Sequence, residues 1–228
     1  MFRNFALAAA AAAFFASTPA MAQEQDMQPA VTSVETANAE AEAFPLRVNF
    51  DMAQDRENIL LLDLSTGERV GIRLVPQWAP NHVERIKTLA RSGFYNGTPF
   101  HRVIDGFMAQ TGRGTSSLPD LVNEFNFLPH VRGSVSMARL PDNNDSANSQ
   151  FFIVFYPNFA LDRQYTNFGR VISNMSAVDA IARGEPPANP TQILQASIAS
   201  DDLPQAMPGE VAVEVDEEIT LDMLNGEL

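Results

Sequence analysis

The chain of 228 residues contains no cysteine. No disulfide can staple it, so its stability has to come from a packed core, and an oxidising compartment neither supports nor threatens the fold. The same absence excludes lipid anchoring through a cleavage-site cysteine. Histidine is almost as scarce. His82, His101 and His130 stand apart in the sequence without ligand-like spacing, so no metal site is expected. No internal repeat is visible, and no run beyond the N-terminus is apolar enough to span a membrane, which takes roughly 20 residues. Basic charge is missing from both flanks. Of the acidic residues, 5 fall in 23–43, 14 in 44–200 and 9 in 201–228, whereas every basic residue after Arg3 lies in 44–200. Nucleic acid demands a basic face, so no nucleic-acid partner is expected. The acidic flanks read as solubilising segments.

The chain divides by composition into four parts. Residues 1–22 have the form of a signal peptide: Arg3 in the leading region, an apolar stretch over 5–15, and Ala20-Met21-Ala22 as a small-residue cleavage site. Residues 23–43 have no aromatic side chain and bury too little to offset their ordering entropy, so they read as an acidic flexible linker. Residues 44–200 form the folded domain. Residues 201–228 are an acidic C-terminal extension, in which 211–215 alternates like an edge strand and 221–224 suits one helical turn.

Within the domain, 46–50 suits an extended lead-in after Pro45. Residues 58–64 and 69–74 flank Ser65-Thr66-Gly67-Glu68 as a hairpin. Pro80 opens a helix whose inward face is Val83, Ile86, Leu89 and Ala90, and Gly93 ends it. Runs at 100–104, 108–112, 135–137, 151–155, 168–172 and 192–198 complete the strands, and a second helix is predicted over 177–183, stopped by Gly184. Many short strands with two helices predict a mainly β domain, a closed antiparallel barrel.

The most informative stretch is Phe100-His101-Arg102-Val103-Ile104-Asp105-Gly106-Phe107-Met108-Ala109-Gln110-Thr111-Gly112. Alternation on a strand puts Met108 and Gln110 on one face and sends His101 to the face opposite Arg102. An arginine and an amide beside apolar walls suit a neutral substrate whose carbonyl is gripped while its ring is held dry. A second run, Ser149-Gln150-Phe151-Phe152-Ile153-Val154, reads as a strand with Phe151 turned to the core and Phe152 to the other face. Upstream lies Gly133-Ser134-Val135-Ser136-Met137-Ala138-Arg139; downstream lie Leu161-Asp162 and Asn167-Phe168-Gly169-Arg170-Val171.

These ordered segments, from about residue 58 to about 200, resemble the cyclophilin family of peptidyl-prolyl isomerases, especially its compact bacterial members. The resemblance implies an eight-stranded cyclophilin-like barrel capped by two helices. It implies catalysis by Arg102 and Gln110, and substrate binding by Phe107, Met108, Ala138, Arg139, Gln150, Phe152, Leu161 and Tyr165. No cofactor is implied, because isomerisation breaks no bond. The partners it implies are proline-containing polypeptides, and a monomer in the periplasm or outside the cell is expected, without stable membrane insertion once the signal is removed. His101 reads as a hydrogen-bonded structural residue. A binding module that grips proline segments without turnover is the alternative, and the presence of Arg102 argues for the enzyme. Three positions differ from the better-known eukaryotic pattern. Ala160 stands where a tryptophan precedes the pocket leucine, Tyr165 where a histidine follows it, and Arg139 where an asparagine follows Ala138.

Overall fold

The structure is a computed structural model that describes residues 45–114 and 116–209. The predicted signal, the linker and the elements expected at 211–215 and 221–224 lie outside the described residues. Among the described residues eight strands run in chain order as β1 (Ile59–Leu64), β2 (Arg69–Leu74), β3 (Arg102–Ile104), β4 (Met108–Thr111), β5 (Ser134–Met137), β6 (Phe151–Val154), β7 (Asn167–Ser173) and β8 (Ile193–Ile198). Among the described residues two α-helices, α1 (Pro80–Arg91) and α2 (Met175–Asp179), accompany them. All pairings are antiparallel, in the spatial order β3-β4-β6-β5-β7-β2-β1-β8.

Alternation sorts the strands into two faces. Val103, Ala109, Val135 and Ile153 are opposite one another across β3, β4, β6 and β5, and all belong to the main core. Tyr95, Phe151 and Phe168 fill that core with edge-to-face ring contacts, at centroid distances of 5.5 and 6.3 Å. The nearly unbroken apolar run of β1 follows from burial on both sides. Leu60, Leu62 and Leu64 enter the main core, while Ile59 and Leu61 join a small outer cluster with Ala199. A strand covered on both faces loses the polar half of its alternation.

The expectation of a closed barrel is corrected by the two edge strands. The sheet curls, but no ladder joins β3 to β8. The residues just before them meet instead, at a Pro99–Gln192 bridge with Phe100 N–H donating to the Thr191 carbonyl at 2.9 Å. Beyond that bridge β8 follows β1, and the free edge of β3 is taken by Gly184, which exchanges two backbone bonds of 2.8 Å with Val103. The barrel is open and curled.

Helix α1 begins at Pro80 as predicted, but Ala79 has no side chain to cap it. Its first free N–H groups are satisfied from far away: the Glu124 carboxylate accepts from the backbone of Asn81 and His82, both at 3.1 Å, where the helix dipole favours an anion. The predicted second helix is displaced. It starts earlier because Asn174 caps it by accepting from Ala177 N–H, and it stops at Asp179, well short of Arg183.

The predicted extended lead-in at 46–50 forms no strand. The loop from Asn49 to Asp55 is gathered around Arg73, whose guanidinium donates to the carbonyls of Asn49, Asp51, Gln54 and Asp55 at 2.7–3.1 Å. At the other end, residues beyond Ser200 stay bound to the domain through Ala206 N–H and Asp63 Oδ2, at 2.8 Å. Because Arg73 is nearly fully buried, replacing it with alanine leaves several carbonyls without a donor. Arg73→Ala is expected to cost about 2–4 kcal/mol in a urea unfolding titration; an unchanged midpoint would show that the loop holds itself.

Candidate functional site

The outer face of the same four strands carries a second row of side chains. Arg102 is opposite Gln110, Gln110 opposite Phe152, and Phe152 opposite Ser136. Two residues along, on the same face, Met108 stands between Ile104 and Val154. Met108, Phe152, Val154 and Leu161 form an apolar cluster separate from the main core, with Ile104, Phe107, Ala138 and Tyr165 packed against it. Gly106, at φ +70°, makes the turn from which Phe107 reaches this face.

These residues enclose a pocket of about 370 Å³, lined by Arg102, Phe107, Met108, Gln110, Ala138, Arg139, Pro141, Phe152, Leu161 and Tyr165. Its floor is aromatic, with the Tyr165 ring edge-on to Phe152 at 5.4 Å. Arg139 closes one side. Its guanidinium lies 4.8 Å from the Tyr165 centroid and donates to the carbonyls of Gln164, Leu140 and Pro141. Gln150 is the one predicted site residue that does not line this pocket. Its side-chain oxygen accepts from Gln110 Nε2 at 2.9 Å, and it lines the adjoining polar groove with Ala138, Arg139 and Asn148. The two amides thus form a bridge between pocket and groove.

Arg102 is about half exposed and donates from Nε to Glu185 Oε2 at 2.7 Å. Among the described residues its Nη donors have no protein partner, which leaves them free for a ligand carbonyl or nitrogen. His101 is not on the opposite face, as alternation predicts. It precedes β3, outside the regular pleat, and lines a groove beside Arg102 with Arg113, Gln150 and Glu185. Burial pushes its pKa down.

Sequence spacing gave no hint of the support beneath the pocket. His130 is 1 % exposed. Its Nδ1 lies 2.8 Å from Asp162 Oδ1, and its Nε2 lies 2.9 Å from Ser136 Oγ. A carboxylate accepts only, so Nδ1 carries the proton and Nε2 accepts from the serine hydroxyl. This chain ties β5 to the turn that carries Leu161 and Tyr165. Because Ser136 is fully buried, no ligand reaches its hydroxyl and the arrangement positions the pocket wall. Pro141 and Glu185 were also missed; each sits on a loop with no periodicity to betray its direction. Among the described residues there is no group of three or more acidic, histidine or cysteine side chains able to hold a metal, and no helix is long and apolar enough to cross a membrane.

Comparison with known proteins agrees with this architecture. The sequence profile of the family described as "Cyclophilin type peptidyl-prolyl cis-trans isomerase/CLD" matches residues 61–198. A probable peptidyl-prolyl cis-trans isomerase of Brucella suis is 46% identical over 171 residues, covering 65% of this chain and 86% of its own. Peptidyl-prolyl cis-trans isomerase B of Bacillus subtilis is 36% identical over 129 residues, covering 54% and 89%. The crystal structure of a cyclophilin from Hirschia baltica superposes with a TM-score of 0.61 at 29% identity, covering 66% of this chain and 77% of that one. The fold is also that of a Cryptosporidium parvum cyclophilin crystallised in the presence of the dipeptide Ala-Pro, with a TM-score of 0.57, 24% identity, and 61% and 98% coverage. The chain belongs to the cyclophilin-type peptidyl-prolyl cis-trans isomerases.

All three histidines are buried, at 0 % exposure for His82, 8 % for His101 and 1 % for His130, and burial lowers each pKa from its ordinary 6.5. The unfolded chain therefore takes up protons near pH 6.5 that the folded protein refuses. Stability from these groups is complete above that pH and is lost as pH falls toward the folded values. Urea unfolding is expected to weaken from pH 7.5 to 5.5, with each histidine contributing up to about 1.4 kcal/mol per pH unit below its unfolded pKa. A midpoint that stays flat across that range contradicts the assignment of neutral, buried imidazoles.

Proposed function

We propose that the protein accelerates rotation about Xaa-Pro bonds in polypeptides by binding the twisted amide in the Arg102 pocket. A planar prolyl amide is held by resonance, and its rotation barrier is about 18–20 kcal/mol. Uncatalysed exchange takes tens to hundreds of seconds. Twisting the bond removes the resonance and returns a lone pair to the prolyl nitrogen. A fixed cationic donor aimed at that nitrogen therefore stabilises the twisted form more than either planar form, and this differential binding is catalysis.

The observation that carries the reading is the Arg102–Gln110–Phe152 row. A guanidinium with free Nη donors stands at the edge of an apolar pocket, and an amide stands beside it. Phe107, Met108, Phe152 and Leu161 supply apolar walls that take a pyrrolidine ring without polar cost. Gln110 and Gln150 offer amide groups to the chain on either side of the proline. The step moves no proton and breaks no bond, so His101 needs no role as a base.

The cellular setting belongs to the same proposal. The composition of residues 1–22 supports export, and the clients are then proline-containing segments of other exported proteins, handled by a monomer in the periplasm or outside the cell. Amino-terminal sequencing of the processed protein, expected to begin at Gln23, tests the export reading; an unprocessed protein retained in the cytoplasm would contradict it.

The catalytic assignment is tested by Arg102→Ala. Arg102 is half exposed, and its ion pair contributes little to stability, so the melting temperature is expected to stay within a few degrees. Turnover of an Ala-Pro peptide is expected to fall about a hundredfold, with a smaller change in KM. Near-normal turnover by the folded variant would remove Arg102 from the mechanism.

A further inference from the structure

We propose that Glu185 is the positioning residue for Arg102, holding the guanidinium by its Nε edge so that its Nη donors are presented to the twisted amide. The proposal rests on the isomerase reading and extends it to a residue that sequence reasoning did not single out.

The placement follows from backbone pairing. Val103 and Gly184 form an antiparallel bridge with two backbone bonds of 2.8 Å, so in that register Glu185 stands opposite Arg102, as a cross-strand neighbour would. The loop is built to hold this register. Gly184 sits at φ +144°, and a Cβ there would come within 2.6 Å of the Pro187 Cα, so the position takes glycine. One residue earlier, the Arg183 guanidinium lies 4.1 Å from the Phe155 centroid and donates to Asp105 at 3.2 Å. The segment before Glu185 is thus fastened to the sheet by its backbone and by a side chain.

What this does to Arg102 follows from its donors. A guanidinium presents its N–H groups in a rigid planar fork, so fixing one edge fixes the direction of the others. Glu185 takes the Nε donor at 2.7 Å, and among the described residues no other side chain binds Arg102. His101 and Arg113 share the groove on the Glu185 side, and among the described residues neither is hydrogen-bonded to Arg102. The Arg102–Glu185 pair is exposed, at 42% and 51%, and such pairs contribute little to folding. Its consequence is orientation of a long side chain that would otherwise sample several rotamers.

Three variants test this: Glu185→Ala, Glu185→Gln and Glu185→Asp. Exchange NMR on an Ala-Pro peptide gives kcat and KM, and the ¹⁵N-resolved Arg102 Nε–H resonance reports the pairing independently of activity. Glu185→Ala is expected to lower kcat about tenfold with KM within about twofold, since an orienting contact acts on the twisted state. The Arg102 Nε–H signal should move toward that of solvent-exposed arginines. Glu185→Gln should keep kcat within about threefold, because its amide oxygen accepts the same bond. Glu185→Asp, one methylene short, should fall between the two. Wild-type turnover in Glu185→Ala, or an Nε–H signal that does not move, overturns the proposal. A wild-type protein with no turnover would instead overturn the isomerase reading, while the resonance would still decide whether Glu185 holds Arg102.

Discussion

Cross-strand register is the constraint on which the pocket depends. Arg102, Gln110, Phe152 and Ser136 occupy equivalent positions on β3, β4, β6 and β5, while their immediate neighbours Val103, Ala109, Ile153 and Val135 fill the core. A one-residue slip of any of these strands would exchange the two rows. It would bury an arginine or a glutamine and expose a core residue. Burial of the inner row therefore fixes the outer one, and the free energy that folds the barrel also aligns the site. The separation of the two apolar clusters has the same origin, since each is one face of a single sheet.

On this rigid face, the polar groups divide into those that face a ligand and those that hold the walls. Arg102 and Gln110 keep exposed donors and line the pocket. Ser136, though in the same row, turns to His130, which turns to Asp162, and the three are spent on fastening the Leu161–Tyr165 turn to β5. Arg139 does comparable work from outside, stacked on Tyr165 and bonded to three carbonyls. The pocket's shape is thus secured by hydrogen bonds directed away from it, and its interior is left apolar. That combination suits a reaction in which a ring is held, the amide bond before it twists and a charge distribution changes while no bond is broken.

Much of this was legible in the sequence because the strands obey a period of two. The hairpin of β1 and β2, the start of α1 at Pro80, and the opposite directions of Phe151 and Phe152 all follow from local patterns. The resemblance to cyclophilins then gathered Arg102, Phe107, Met108, Gln110, Phe152, Leu161 and Tyr165 from separate strands and turns. What escaped prediction depends on long-range pairing. The open edge beside β3 arises because Gly184 competes for it, and the Glu124 cap on α1 and the Arg73-bound loop each join residues far apart in sequence. His101 was misplaced because alternation was applied one residue before the strand begins. His130 looked isolated because its partners are an aspartate 32 residues away and a serine whose hydroxyl direction no pattern reveals.

The central claim is that catalysis and binding occur at one place, the outer face of β3, β4 and β6. Two-dimensional exchange NMR on an Ala-Pro peptide with a catalytic amount of the protein, paired with amide shift mapping at saturating peptide, tests it directly. The account predicts exchange cross-peaks between cis and trans proline signals that are absent without protein. It also predicts shift changes concentrated at Arg102, Gln110, Ala138, Phe152 and Leu161. Shift changes at those residues without exchange would make the protein a proline-binding module, and exchange accompanied by changes elsewhere would move the active site off this face.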